Sequence, residues 1–110
     1  MNKKIGFIGV GNMGTAIISG MLDSKFAEPE YVYICDNNKE KCDFFFKKGV
    51  NVCDSITSLA ECSDIVVLAV KPQNYAEVLT ELSAINCESK IFVSIAAGIS
   101  IGYVQKMLKG

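Results

Sequence analysis

The chain has 110 residues, 50% of them hydrophobic, with 11 Lys and Arg against 12 Asp and Glu. That length holds one domain, which buries roughly 65% of its unfolded surface and needs no metal or disulfide staple. A net charge of −1 gives no basic footprint for nucleic acid, and the absence of His removes the commonest general base together with the commonest metal ligand.

In chain order, Ile5, Phe7 and Ile8 form a short apolar run that ends at Gly9, the signature of a buried strand. From Asn12 the period changes, with Met13, Ala16, Ile17, Gly20 and Met21 on one predicted helical face. Tyr31–Cys35 is aromatic and β-branched and predicts strand two. Asn38–Lys48 predicts a helix with Cys42, Phe45 and Phe46 inward, and Gly49 stands where a helix-ending glycine belongs. Val50–Cys53 predicts a third strand, and Ser55–Cys62 a short helix with Ser55 as its N-cap.

Asp64–Val70 is continuously apolar after its first residue, as parallel strands covered on both faces are. Lys71-Pro72 stops it, and Asn74–Ala84 carries Val78, Leu79 and Leu82 at helical spacing. Lys90–Ile95 predicts strand five, Ala96–Gly98 a small-residue turn, and Ser100–Lys109 a last amphipathic helix. The alternation of strand and helix predicts an α/β fold, a doubly wound parallel sheet of the Rossmann-like dinucleotide-binding kind.

Gly9-Val10-Gly11-Asn12-Met13-Gly14 reads G-x-G-x-x-G between a strand and a helix, the context in which that motif cradles a pyrophosphate. Gly9 permits the tight turn, Gly11 lets backbone approach the phosphates, and Gly14 lets the helix pack close on the strand. The anion then meets unused N–H groups and the positive end of the helix dipole. Asp36 lies 22 residues past Gly14 at the end of strand two, where a carboxylate accepts from a ribose 2′-OH. Asp36-Asn37-Asn38 is also good turn and N-cap chemistry, and the two roles are compatible. No Arg follows to clamp a 2′-phosphate, and Lys39 and Lys41 read as solvated charges on the helix face. Ala69-Val70-Lys71-Pro72-Gln73 ends strand four and faces the same crevice as Gly11. Ile95-Ala96-Ala97-Gly98 ends strand five, with side chains small enough to admit a flat ring.

The five cysteines, Cys35, Cys42, Cys53, Cys62 and Cys87, are odd in number and contain no C-x-x-C pair, so they read as buried or half-buried thiols in a reducing compartment. The apolar stretch Ile5–Val10 is too short and too glycine-rich for a signal peptide or a membrane span, which predicts a soluble, cytoplasmic protein.

KKIGFIGVGNMGTAIISGML, LAVKPQ and VSIAAGISI, in that order and at these separations, resemble pyrroline-5-carboxylate reductase. The resemblance covers the N-terminal, dinucleotide-binding half of that family, here residues 1–110, without the helical domain that makes the dimer and much of the imino-acid pocket. It implies reduction of the C=N bond of 1-pyrroline-5-carboxylate to L-proline by hydride from NADPH or NADH. It also implies a homo-oligomeric full-length protein with no nucleic-acid or membrane partner. Carried over residue by residue, the family's cofactor contacts fall on Ile8, Gly9, Val10, Gly11, Asn12 and Met13, and on Ala69, Val70, Lys71 and Pro72. A third set falls on Ile95, Ala96 and Ala97. Many members have Ser, Asn or Arg where this chain has Asp36 and Asn37, so the usual NADPH preference is not carried over with the rest. No residue of the chain is assigned a catalytic role, and no metal is implied. Two other readings stand beside this one: a related reductase of the β-hydroxyacid dehydrogenase or deazaflavin-dependent NADP oxidoreductase type, and a dinucleotide-sensing module without chemistry.

Overall fold

A computed structural model describes residues 3–84 and 90–94. Five parallel strands lie in the order β3-β2-β1-β4-β5: β1 Ile5–Ile8, β2 Val32–Cys35, β3 Asn51–Val52, β4 Ile65–Leu68 and β5 Ile91–Ser94. Central β1 pairs on both sides, Ile5 opposite Val32 and Ile65, and all four of its residues are buried. Sheet order reverses at β1, because β2 and β3 build out one way and β4 and β5 the other. In such a sheet the ligand crevice opens beyond the carboxyl ends of the strands that flank the reversal.

Among the described residues four helices cover the sheet: α1 Asn12–Asp23, α2 Lys39–Phe46, α3 Ile56–Cys62 and α4 Tyr75–Leu82. Successive side chains of a strand point to opposite faces, and the core splits accordingly. Ile5 and Phe7 of β1 pack with Ile18 of α1, Val32, Ile34 and Phe45 of α2. Ile8 packs on the other face with Leu59 and Ala60 of α3 and with Val78, Leu79 and Leu82 of α4. The Tyr75 hydroxyl donates to the Leu68 carbonyl at 2.8 Å and fastens the start of α4 to β4. Helices α2 and α3 begin on side-chain caps, Asn38 Oδ1 accepting from Lys41 N–H and Ser55 Oγ from Ser58 N–H, both at 3.1 Å.

Three expectations change. The buried side of α1 is Gly14 and Ile18, flanked by half-buried Ile17, Met21 and Leu22, while Ala16 and Gly20 are exposed. Helix α2 ends at Phe46, which is 66% exposed, because one further residue of rotation carries it past the stripe that buries Cys42 and Phe45. Gly49 does follow, at φ +95°. Tyr31 belongs to a 3₁₀ turn, Pro29–Tyr31, so β2 starts at Val32. Ala96–Gly98 and Ser100–Lys109 lie outside the described residues. No helix among the described residues is long and apolar enough to cross a membrane.

Candidate functional site

The three glycines of the β1–α1 join differ in what fixes them. Gly9 has φ +88°, and a Cβ there would stand 2.8 Å from Val70 Cγ1 and 3.0 Å from the Ala69 carbonyl, so the fold itself requires glycine. Its N–H donates to the Cys35 carbonyl at 2.8 Å, joining the ends of β1 and β2. Gly11 has an ordinary φ of −78°, and a Cβ there would meet only the Ala69 carbonyl oxygen, at 4.0 Å. Among the described residues nothing demands glycine at that position. Gly14 was expected to allow close helix–strand packing. A Cβ there would stand 3.5 Å from Ala69 Cβ and from the Gly9 carbonyl oxygen, ordinary contact, so a methyl fits without displacement.

Gly11 is the N-cap of α1 and supplies no side-chain cap, unlike Asn38 and Ser55. The first N–H groups of a helix have no partner within it. No side-chain cap takes them up here, at the positive end of a 12-residue helix.

Asp36 is held by the loop it faces. Its Oδ2 accepts from Val10 N–H at 2.5 Å and its Oδ1 from Asn38 N–H at 2.7 Å, so it serves as a turn former and as a strut to the glycine loop together. A carboxylate offers about four lone-pair sites, and two remain for a hydroxyl. Lys41 departs from expectation. It is no solvated charge: its ammonium donates to the Val10 carbonyl at 2.9 Å and it is half-buried. Lys39 is exposed, as expected.

These loops enclose one open cleft of about 610 Å³ at the carboxyl edge of the sheet. Ile8, Gly9 and Gly11 line it from β1, Asp36 and Asn37 from β2, and Ala69, Val70 and Lys71 from β4. Asn12, Met13 and Gly14 form the first turn of α1 behind Gly11, and Pro72 opens the 3₁₀ turn Pro72–Asn74. Ile95, Ala96 and Ala97 lie outside the described residues. Sequence reasoning missed Asp54, Ser55 and Ile56 after β3, and Asn74, Glu77 and Glu81 on the far wall. Position beyond the carboxyl end of β3 was the signal for the first group; the second depends on where α4 packs. Among the lining residues four carboxylates, Asp36, Asp54, Glu77 and Glu81, face the single cation Lys71.

Cys35 also lines the cleft. Burial first, then the neighbouring Cys42 thiol and Asp36 carboxylate, push its pKa up. Burial likewise raises Cys42, and raises Cys53 to about 11. Thiols held protonated at neutral pH are poor nucleophiles. Cys35, Cys42, Cys53 and Cys62 are free, and Cys62 is exposed rather than buried because it closes α3 on its outer side.

The sequence profile of the family described as "NADP oxidoreductase coenzyme F420-dependent" matches residues 4–98. The chain belongs to this family. Within the wider set of relatives, it is 43% identical over 99 residues to the pyrroline-5-carboxylate reductase of Haemophilus influenzae, covering 90% of this chain and 36% of that protein. It is 35% identical over 109 residues to that of Escherichia coli, covering 98% and 40%. Among solved structures, a pyrroline-5-carboxylate reductase from Coxiella burnetii superposes with a TM-score of 0.90 at 34% identity, over 98% of this chain and 40% of that one. The Plasmodium falciparum pyrroline carboxylate reductase, solved with NADP bound, gives 0.84 at 31% identity, over 97% and 38%. The chain thus spans about two fifths of the length of the relatives it matches and resembles their dinucleotide-binding part.

Proposed function

We propose that the chain is the cofactor-binding domain of a pyrroline-5-carboxylate reductase and that it binds a nicotinamide dinucleotide in the cleft above β1 and β4. The observation that carries this reading is Gly11. No described residue strains or crowds that position, yet a side chain there would project into the cleft in front of the open head of α1. A ligand whose phosphates come against the backbone explains the glycine.

The N–H groups from Gly11 to Gly14 hold the pyrophosphate, while Gly9 sets the turn that presents them. Asp36 accepts from the ribose 2′-OH through its remaining lone pairs, and Asn37 borders the same subsite. Ala69, Val70, Lys71 and Pro72 flank the path toward the nicotinamide, with Ile95, Ala96 and Ala97 assigned to the ring by resemblance. When bound, the dinucleotide supplies a hydride to the carbon of the C=N bond of 1-pyrroline-5-carboxylate. The imine nitrogen gains a proton and L-proline results. Positioning contributes on the order of 7–11 kcal/mol to such a step, and the helical domain of the family supplies it together with the proton. On this reading the imino-acid pocket and the homo-oligomer contacts belong to that helical domain. The free thiols fit a reducing cytoplasm.

Asp36 and the acidic lining favour NADH over NADPH. The competing reading, NADPH, draws on the NADP-bound P. falciparum relative. The reading as a whole is tested by a chimera in which this chain replaces the matching N-terminal part of the E. coli relative. NADH oxidation upon addition of 1-pyrroline-5-carboxylate, absent with this chain alone, is expected. A folded chimera that binds NADH and reduces no imine contradicts the reading.

A further inference from the structure

Val10, between the first two glycines of the loop, has its backbone groups gripped by opposite charges. Its N–H donates to Asp36 Oδ2 at 2.5 Å, and its carbonyl accepts from Lys41 Nζ at 2.9 Å. That carbonyl belongs to the Val10–Gly11 peptide. In a trans peptide the C=O and N–H point in opposite directions, and no cis bond occurs among the described residues. Anchoring the carbonyl toward α2 therefore aims the Gly11 N–H away from α2. Gly11 is the uncapped head of α1 and a wall of the cleft, so this N–H is one of those an anion would use.

A cation bonded to a carbonyl also polarises its peptide and strengthens the N–H on the other side, by about 10–30% for linked hydrogen bonds. The Lys41 stem starts from a fixed point, because the Lys41 N–H is itself capped by Asn38 Oδ1 at 3.1 Å. Among the described residues Lys39 and Lys71, both exposed, make no comparable bond to the loop.

From this geometry we propose that Lys41 is a positioning residue for the cofactor's pyrophosphate. It acts through the Val10–Gly11 peptide, keeping the Gly11 N–H oriented for the anion, without touching the cofactor. This rests on the dinucleotide reading above. Because every nicotinamide dinucleotide carries the same pyrophosphate, Lys41 serves NADH and NADPH alike, and its contribution is independent of the 2′ substituent.

The test compares wild type, Lys41→Met and Lys41→Arg in binding NADH, NADPH and ADP-ribose, with the Gly11 amide resonance followed in the ligand-free chain. Loss of one charge-assisted hydrogen bond at a half-buried site predicts about fivefold weaker binding of all three ligands by Lys41→Met. The Gly11 amide shifts in the same variant, and Lys41→Arg restores both readouts. Unchanged affinities in Lys41→Met, with or without a lower melting temperature, overturn the proposal. So does weakening confined to NADPH, which would make Lys41 a direct ligand of the 2′-phosphate. Gly11→Val, titrated in parallel, separates the two layers. If it abolishes binding while Lys41→Met leaves all three affinities unchanged, only the positioning role falls. If folded Gly11→Val binds NADH as wild type does, the dinucleotide reading falls first.

Discussion

Replacing Asp36 by Ser should move cofactor preference from NADH toward NADPH. The structure fixes where the charge sits, since Val10 N–H and Asn38 N–H hold both carboxylate oxygens and keep the group from swinging into solvent. A 2′-phosphate on an adenine ribose at the end of β2 would meet that carboxylate at about 5 Å. With an effective dielectric near 20 the repulsion is ~3 kcal/mol per unit charge. Partial exposure and salt reduce it to about 1–2 kcal/mol, roughly a tenfold handicap for NADPH. Asp54, Glu77 and Glu81 in the same cleft add to the handicap, and Lys71 offsets a part.

The assay is fluorescence titration of NADH and NADPH against wild type and Asp36→Ser. NADH should bind wild type more tightly by about tenfold, and the variant should tighten NADPH and weaken NADH, reversing or abolishing the gap. The substitution also removes two charge-assisted hydrogen bonds at a half-buried position, so a stability loss of about 1–2 kcal/mol is expected. Thermal unfolding then verifies that the titrated variant is folded. Tighter NADPH binding by wild type, or an unchanged ratio in the variant, refutes the reasoning.

Gly9→Ala should cost about 2–4 kcal/mol, from left-handed backbone strain and collision with Val70 and Ala69. Gly14→Ala, whose Cβ meets only ordinary contacts, should cost less than about 1 kcal/mol. Equal melting temperatures for the two variants would contradict this. Cys53 carries a pH dependence of defined sign. Its folded pKa of about 11 exceeds the ordinary 9.0, so its contribution is full below about pH 9 and falls as pH rises toward 11, where the unfolded chain gives up the proton first. Denaturant unfolding of wild type and Cys53→Ala between pH 8 and about 11 should show a shallower decline in the variant, and parallel declines would contradict the assignment.

The parts legible in sequence were those with local causes. Strand β1, the glycine turn, the Asn38–Lys48 region and the Ser55 cap each follow from a run of a few residues whose chemistry points one way. The face of α1 was not legible. Ala16 and Gly20 count as apolar in a periodic pattern, but the backing of Gly14 against Gly9 and Ala69 rotates the helix until Ile18 is the fully buried residue. Gly6 likewise gave no sign of its role. A Cβ there would stand 2.3 Å from Ser63 Oγ and 2.6 Å from Leu59 Cδ2, so α3 approaches β1 at a place known only after the fold forms. Lys41 meets Val10 across 31 positions of sequence, and no local pattern distinguishes it from Lys39. Asp36 was legible because the fingerprint fixes its distance from the glycines, but its bond to the loop itself was not.

Titration of NADH against the chain and its Gly11→Val variant bears most directly on the central claim. Gly11 has an ordinary backbone conformation and open space at its Cβ, so the variant should fold and melt as wild type does. Wild type should bind NADH saturably, and Gly11→Val should not, because the valine side chain occupies the approach of the pyrophosphate. Undiminished NADH affinity in a folded Gly11→Val protein would contradict the account.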